Sequence, residues 1–215
     1  TEMLLEDNPE ERQKENLKVL QFSAHDLLSL INNILDFNKL DSDKLTLDAE
    51  TFSLYEFMQN ICSVLRVKAS NKDLSLLLDV DDRLKGVNVS SDPTRLSQVM
   101  YNLIGNAVKF TDKGSIVVKV ELVRSTDNRA EILFSVADTG IGIPADKHEA
   151  IFELFTQAQS NKARKAEGTG LGLAIVKQVL GLFDSTIHLE SSPGAGSKFS
   201  FTISFSIVPA VVQAK

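Results

Sequence analysis

"DPTRLSQVMYNLIGNAVKFT", residues 92–111, carries an apolar helical pattern over 92–110 with two amides set into it. Asn102 and Asn106 stand four residues apart, so both project from one face, and Lys109 follows one turn further on. Asparagine is unfavourable inside a helix and is normally left to solvent. Here both amides stand among Val99, Leu103, Ile104 and Ala107, company that a plain surface face does not need. Amide oxygens suit a hard cation such as Mg²⁺, which takes few protein ligands when phosphates supply the others. A lysine beside them neutralises phosphate charge. The stretch therefore points to a phosphate-bearing ligand held against a helix face.

On either side of this helix the hydrophobic period keeps changing. "LTLDAETF" (45–52) alternates like a strand, 54–70 is helical, and "LSLLLDV" (74–80) is a strand. "SIVVKVELV" (115–123) and "EILFSVADT" (131–139) are strands joined by the polar turn "RSTDNR". Residues 146–152 read as a short helix and 171–183 as a longer one, while "TIHLESS" and "SKFSFTISFSI" make a hairpin around "PGAG". Helices mixed with hairpin-linked strands predict an α+β fold, a two-layer sandwich with helices on one face of a mostly antiparallel sheet. Residues 156–168, "TQAQSNKARKAEG", are polar, basic and aperiodic, as in a lid or a disordered loop.

The chain before residue 45 is of another kind. After Asn8 and Pro9, an N-cap and first helical position, the helix runs to about Asp41. Leu17, Ala24 and Ile31 form one seven-residue series and Leu20, Leu27 and Ile34 a second, with Leu28 and Leu35 widening the stripe. Such a seam packs against other helices, in a coiled coil or four-helix bundle. Three segments follow: 1–44 helical, 45–208 the α+β domain and 209–215 a tail.

Composition narrows the function. The 215 residues are 43% hydrophobic and 24% charged, ordinary for a globular chain. The net charge is −6, with twelve acids against five Lys/Arg in residues 1–50, and no basic stripe, which argues against nucleic acid as the main partner. No apolar run approaches the ~18 residues of a membrane span. The single cysteine, Cys62, lies in an apolar helical stretch and reads as core filler; it fits a reducing, cytoplasmic setting.

Two glycine clusters remain, "DTGIGIP" (138–144) and "GTGLGLAI" (168–175). Neither has the Walker or dinucleotide-fold spacing, and each taken alone could be a tight turn. The second runs straight into the helical pattern "LAIVKQVLGLF", and backbone N–H groups at a glycine-rich helix start make an anion site.

Taken in order, Asn102–Asn106–Lys109, Asp138–Gly140–Gly142, "FELFTQ" (152–157) and "GTGLGLAI" resemble the N, G1, F and G2 boxes of the sensor histidine kinase ATP-binding domain. That domain is one of the GHKL (Bergerat) group shared with gyrase, MutL and the large heat-shock chaperone. The resemblance covers about residues 50–207, with all four boxes in order. It implies ATP and Mg²⁺ as ligands. Asp138 would accept from the adenine amino group, while Gly140 and Gly142 let the chain turn close around base and sugar. Asn106, helped by Asn102, would hold Mg²⁺, and Lys109 would contact phosphate. Gly168, Thr169, Gly170, Leu171 and Gly172 shape the loop whose amides meet the phosphates, with Arg164 or Lys165 reaching them from the lid. Ser197 matches a hydroxyl position near the adenine. Phe152 and Phe155 match the hydrophobic lid hinge, core phenylalanines being the other reading of each. The sequence departs from the family at Glu167 and at "FDSTI" (183–187), where glycines are frequent.

The family's phosphoacceptor stands in a motif like H-E-x-R-T-P, and no such string occurs here. "SAHDLLSLINNILDFNKLDSDKL" resembles instead the second helix of the family's dimerisation hairpin, so His25 is read as a partly exposed helix residue. His148 and His188 do not read as acceptors either. "TEMLLED" reads as the tail of the first hairpin helix, with the acceptor upstream. The resemblance thus implies the ATP-binding part of a two-component histidine kinase that binds ATP or ADP but does not phosphorylate itself. A homodimer through the hairpin and a response-regulator receiver domain are the implied partners, and membrane anchoring of the parent is left open. A GHKL conformational ATPase and a non-catalytic nucleotide-binding scaffold are the alternatives.

Overall fold

The computed structural model describes residues 47–153 and 170–208. Among them, seven strands form one sheet: β1 (Glu50–Ser53), β2 (Ser75–Val80), β3 (Asn88–Ser91), β4 (Ser115–Ser125), β5 (Arg129–Asp138), β6 (His188–Ser191) and β7 (Ser197–Val208). The order is β1-β3-β7-β5-β4-β2, with β6 also paired to β7. Every pairing is antiparallel except β2 with β4. Three helices among the described residues complete the fold: α1 (Leu54–Ser70), α2 (Pro93–Phe110) and α3 (Gly172–Leu182).

Alternation decides which sheet face is covered. Along β7 the odd positions Phe199, Phe201, Ile203 and Phe205 are buried, and the intervening Thr202, Ser204 and Ser206 are exposed. Phe134 of β5 stacks on Phe201 with centroids 5.0 Å apart, and Phe205 meets Phe134 edge-on at 6.0 Å. The helices bury their stripes in the same core: Leu54, Met58, Ile61, Cys62 and Leu65 from α1, and Leu96, Val99, Met100, Leu103, Ile104 and Ala107 from α2. Cys62 is fully buried, and burial pushes its thiol up to about 11, which leaves it un-ionised and inert as a nucleophile.

Side chains cap the first two helices. The Ser53 hydroxyl accepts from Glu56 N at the start of α1. The buried Asp92 carboxylate accepts from Arg95 N (2.9 Å) and from Asp48 N (3.1 Å) at the start of α2, where Pro93 takes the first turn. Lys72 Nζ donates to the carbonyls of Val108 (2.8 Å) and Lys109 (2.9 Å), closing the other end of α2 with a positive charge.

Three local expectations differ from the structure. The strand expected over 45–52 is shorter and later, at Glu50–Ser53. β3 is an additional strand; its "NVSS" has no alternation to announce it and is held by pairing to β1 and β7. The short helix expected over 146–152 is two 3₁₀ turns, Ala145–Lys147 and Ala150–Phe152, neither with a side-chain cap. Segment 1–44, expected to be helical, with His25, the expected lid residues Phe155, Arg164 and Lys165, Gly168 and Thr169 of the second glycine cluster, and residues 209–215 lie outside the described residues.

Candidate nucleotide site

The loop 138–144 at the end of β5 meets the last residue of α2 and the turn that leads into β7, and the start of α3 lies against Asn102 of α2. The loop is pinned from both sides. Ile141 N donates to Phe110 O at the end of α2 (3.3 Å), and Thr139 N donates to Ser115 O (3.2 Å). On the other side, Gly194 N donates to Ile141 O (2.8 Å), joining the loop to the turn between β6 and β7.

Two glycines are required by this packing. Gly142 has φ +67°, and a Cβ there would overlap the Ser192 carbonyl. Gly196 has φ +81°, and a Cβ there would overlap the Asp138 carbonyl. Gly140 is excluded from carrying a side chain by proximity alone, since its Cβ would stand 2.5 Å from Phe110 O.

Asp138 ends β5 opposite Ser197, the first residue of β7. Its carboxylate accepts from Gly140 N (2.8 Å) and from the Ser197 backbone N–H. Partial burial outweighs these bonds and raises its pKa above the ordinary carboxylate value. The Ser197 side chain is buried, and its hydroxyl lies 3.0 Å from that of Ser191 on β6.

The amides of α2 behave as their spacing predicts. Asn102, Asn106 and Lys109 share one half-buried strip of the helix. Asn102 Nδ2 donates back to Gln98 O (2.8 Å), which turns Oδ1 outward to the start of α3. A Cβ at Gly172 would stand 2.7 Å from that Oδ1, so the glycine is what allows the two helices this approach. Lys109 Nζ lies 4.9 Å from the centroid of the Phe110 ring, a cation–π contact that holds the ammonium near the loop.

The start of α3 differs from those of α1 and α2: its N-cap residue, Leu171, makes no side-chain cap, and no acid stands in its first turn. Its first-turn N–H groups and the positive end of its dipole therefore suit an anion. Gly170, with φ +69°, turns the chain into it, and Leu171 is buried, so Leu171 can serve a ligand only through its backbone. Phe152 is half-buried and meets Phe199 edge-on at 6.4 Å, which gives it a core contact beside the site. His148 Nε2 lies 3.1 Å from Ile143 O, and His188 is exposed on β6.

The fold brings Asp138, Gly140, Gly142 and Ser197 together around the loop 138–144 and sets Gly172 against Asn102, with Asn106 and Lys109 along the same strip of α2. Sequence reasoning passed over Phe110, Lys72 and Ser191. The first two act through a neighbouring ring contact and a distant helix end. Ser191 had a signal: a serine on the inward side of a strand that alternates, directly before the glycine turn.

Residues 91–207 match the family model described as histidine kinase-, DNA gyrase B- and HSP90-like ATPase. The chain belongs to this family. It is a histidine-kinase-type ATP-binding catalytic domain. The sensor protein GacS of Pseudomonas syringae pv. syringae is 40% identical over 188 residues, 87% of this chain and 21% of that protein. The signal transduction histidine-protein kinase BarA of Escherichia coli K12 is 36% identical over 200 residues, 93% of this chain and 22% of its own length. The chain thus spans about a fifth of the curated relatives it matches. Among solved structures, full-length ShkA in complex with AMPPNP superposes with a TM-score of 0.78 at 29% identity, over 98% of this chain and 43% of that one. The Acinetobacter baumannii histidine kinase AdeS shares the fold, with a TM-score of 0.68 at 23% identity over 92% of this chain and 86% of that one. Among the described residues of this ATPase-family domain, no helix is long and apolar enough to cross a membrane.

Proposed function

We propose that this domain binds Mg·ATP at the junction of β5, β7, α2 and α3 and presents its γ-phosphoryl group to a histidine on a dimerisation domain. The observation that carries the reading is the uncapped start of α3 set against the amide strip of α2. In this reading Asp138 accepts from the adenine amino group, with Ser197 beside it. Gly140 and Gly142 give the base a backbone-lined wall. First-turn amides of α3, joined by Lys109, receive the phosphates. Arg164 or Lys165 adds charge from the lid, and Phe152 with Phe155 anchors the lid hinge.

The donor set fits Mg²⁺: two neutral amide oxygens leave coordination places for phosphate oxygens, and Asn106 has no protein partner among the described residues. Asn106 and Asn102 would hold the ion, which neutralises phosphate charge when bound. The chain's own groups orient the nucleotide and stabilise charge; none of them is a covalent nucleophile. The parent protein then acts in two-component signalling in the cytoplasm, as a homodimer through its helical hairpin, with a response-regulator receiver domain downstream. ShkA, whose structure holds AMPPNP, and the kinases GacS and BarA support the assignment.

Titration of this chain with Mg·ADP by calorimetry tests the reading. Saturable heat, with an affinity about 10- to 100-fold weaker in Asp138→Asn, is the expected result. No heat from a wild-type chain whose circular dichroism is that of a folded domain would overturn it. Incubation with γ-labelled ATP should leave no label on the chain; label that disappears in His25→Ala would show that the acceptor had been misread.

A further inference from the structure

Ser191 sits at the centre of a small hydrogen-bond network whose protons can be counted. Its hydroxyl has one proton to give and two lone pairs to receive. Ile143 N donates to Ser191 Oγ at 2.8 Å and occupies one lone pair. Gly196 O, a carbonyl and so only an acceptor, lies 2.8 Å away and takes the single proton. One lone pair is left, and the remaining neighbour is Ser197 Oγ at 3.0 Å. Ser197 must therefore be the donor of that bond. Its own proton is spent on Ser191, and what it presents elsewhere is lone pairs alone.

Beside it the Asp138 carboxylate is likewise an acceptor, with Gly140 N and Ser197 N already donating to it. The two residues are register partners, and both line one open groove with Ser191 and Gly196. A wall made only of acceptors attracts an exocyclic amino group, directly or through a water, and repels a carbonyl oxygen.

We propose that Ser191 is a positioning residue that fixes the Ser197 hydroxyl as an acceptor, so that the Asp138–Ser197 wall selects a 6-amino purine over a 6-oxo purine. The proposal rests on the nucleotide reading above. It adds a residue that does not touch the base and acts through Ser197, and through the Ile143 amide that ties the loop to β6.

The test compares ADP and IDP, which differ at purine C6, by calorimetry on the 215-residue chain with magnesium. Without the Ser191 lone pair the Ser197 hydroxyl is free to turn and donate to the 6-oxo group. Ser191→Ala should therefore reduce the ADP-to-IDP affinity ratio by about five- to tenfold, the worth of one net hydrogen bond. Ser191→Thr, which keeps the hydroxyl, should restore the ratio. In a Ser197→Ala background the Ser191→Ala change should leave the ratio where it was. Ser191→Cys fills the same space with a weak acceptor and carries the same expectation if the alanine chain does not fold. An unchanged ratio, equal losses for both nucleotides, or an equal shift in the Ser197→Ala background would each overturn the proposal. Failure of the wild-type chain to bind ADP would overturn the nucleotide reading itself, and this one with it.

Discussion

At the scale of single residues, Asp138, the proposed adenine acceptor, is kept at a cost to the fold. Its pKa is raised in the folded chain because burial outweighs the two amide bonds it accepts. The native state therefore holds that proton to higher pH than the unfolded chain does. Stability from this group is present at low pH and is lost as pH rises through the interval between the unfolded and folded values. Asp138→Asn removes the ionisation, so urea melts at neutral pH should show the variant at least as stable as wild type, and the wild-type decline across that interval should vanish. Adenine binding runs the other way, since the protonated carboxyl loses an acceptor. ADP affinity should fall on acidification through the folded value, and Asp138→Asn should weaken it about 10- to 100-fold, as for a hydrogen bond to a charged group. A variant that loses both stability and affinity in parallel would assign Asp138 to the core instead.

At the scale of elements, the decisive features are where helices and turns begin and end. α3 ends through Asp184, which holds φ +51°. A β-carbon is strained there, although aspartate tolerates it better than most residues. Asp184→Gly should raise the urea midpoint by the equivalent of about 0.5 kcal/mol, strain relief exceeding the added unfolded-state entropy. Gly142→Ala should do the reverse. Its Cβ meets the Ser192 carbonyl, and that clash adds to backbone strain of about 1–2 kcal/mol, so ADP binding should be lost along with stability. Elements with their own period were legible in the sequence. α2 and its amide strip, the inward phenylalanines of β7 and the hairpin around "PGAG" follow from spacing alone. β3 was not, because four residues without alternation become a strand only when β1 and β7 arrive on either side. The 3₁₀ turns over 145–152 escaped for a related reason: with Pro144 before them and no caps, they are shaped by the burial of Ile151 and not by any helical period. Of the candidate site, the residues that would meet the nucleotide could be read from motif spacing. Lys72, which holds the end of α2, depends on carbonyls remote in sequence and could not, and of the Ser191 partners only Ile143 N was beyond the reach of local pattern.

At the scale of the whole molecule, the site is a seam between parts of the domain that are far apart along the chain. α2 ends at Phe110, β5 at Asp138, α3 begins at Gly172 and β7 at Ser197, so a nucleotide held by all four ties segments nearly ninety residues apart. The domain's own backbone cross-links the loop to α2 and to the β6–β7 turn through Ile141 N to Phe110 O, Gly194 N to Ile141 O and the Ser191 network. A ligand that binds only the folded state then stabilises the domain as one unit. At Mg·ADP concentrations of about a hundred times Kd the gain is about 2.7 kcal/mol. For a domain of this size that raises the thermal midpoint by about 5–10 °C. Differential scanning calorimetry should show one transition moving upward with the logarithm of Mg·ADP, with the same movement displaced to about 10- to 100-fold higher nucleotide in Asp138→Asn. A shift confined to one of two resolved transitions would mean that the four segments do not melt together and that the nucleotide bridges fewer of them than the geometry indicates.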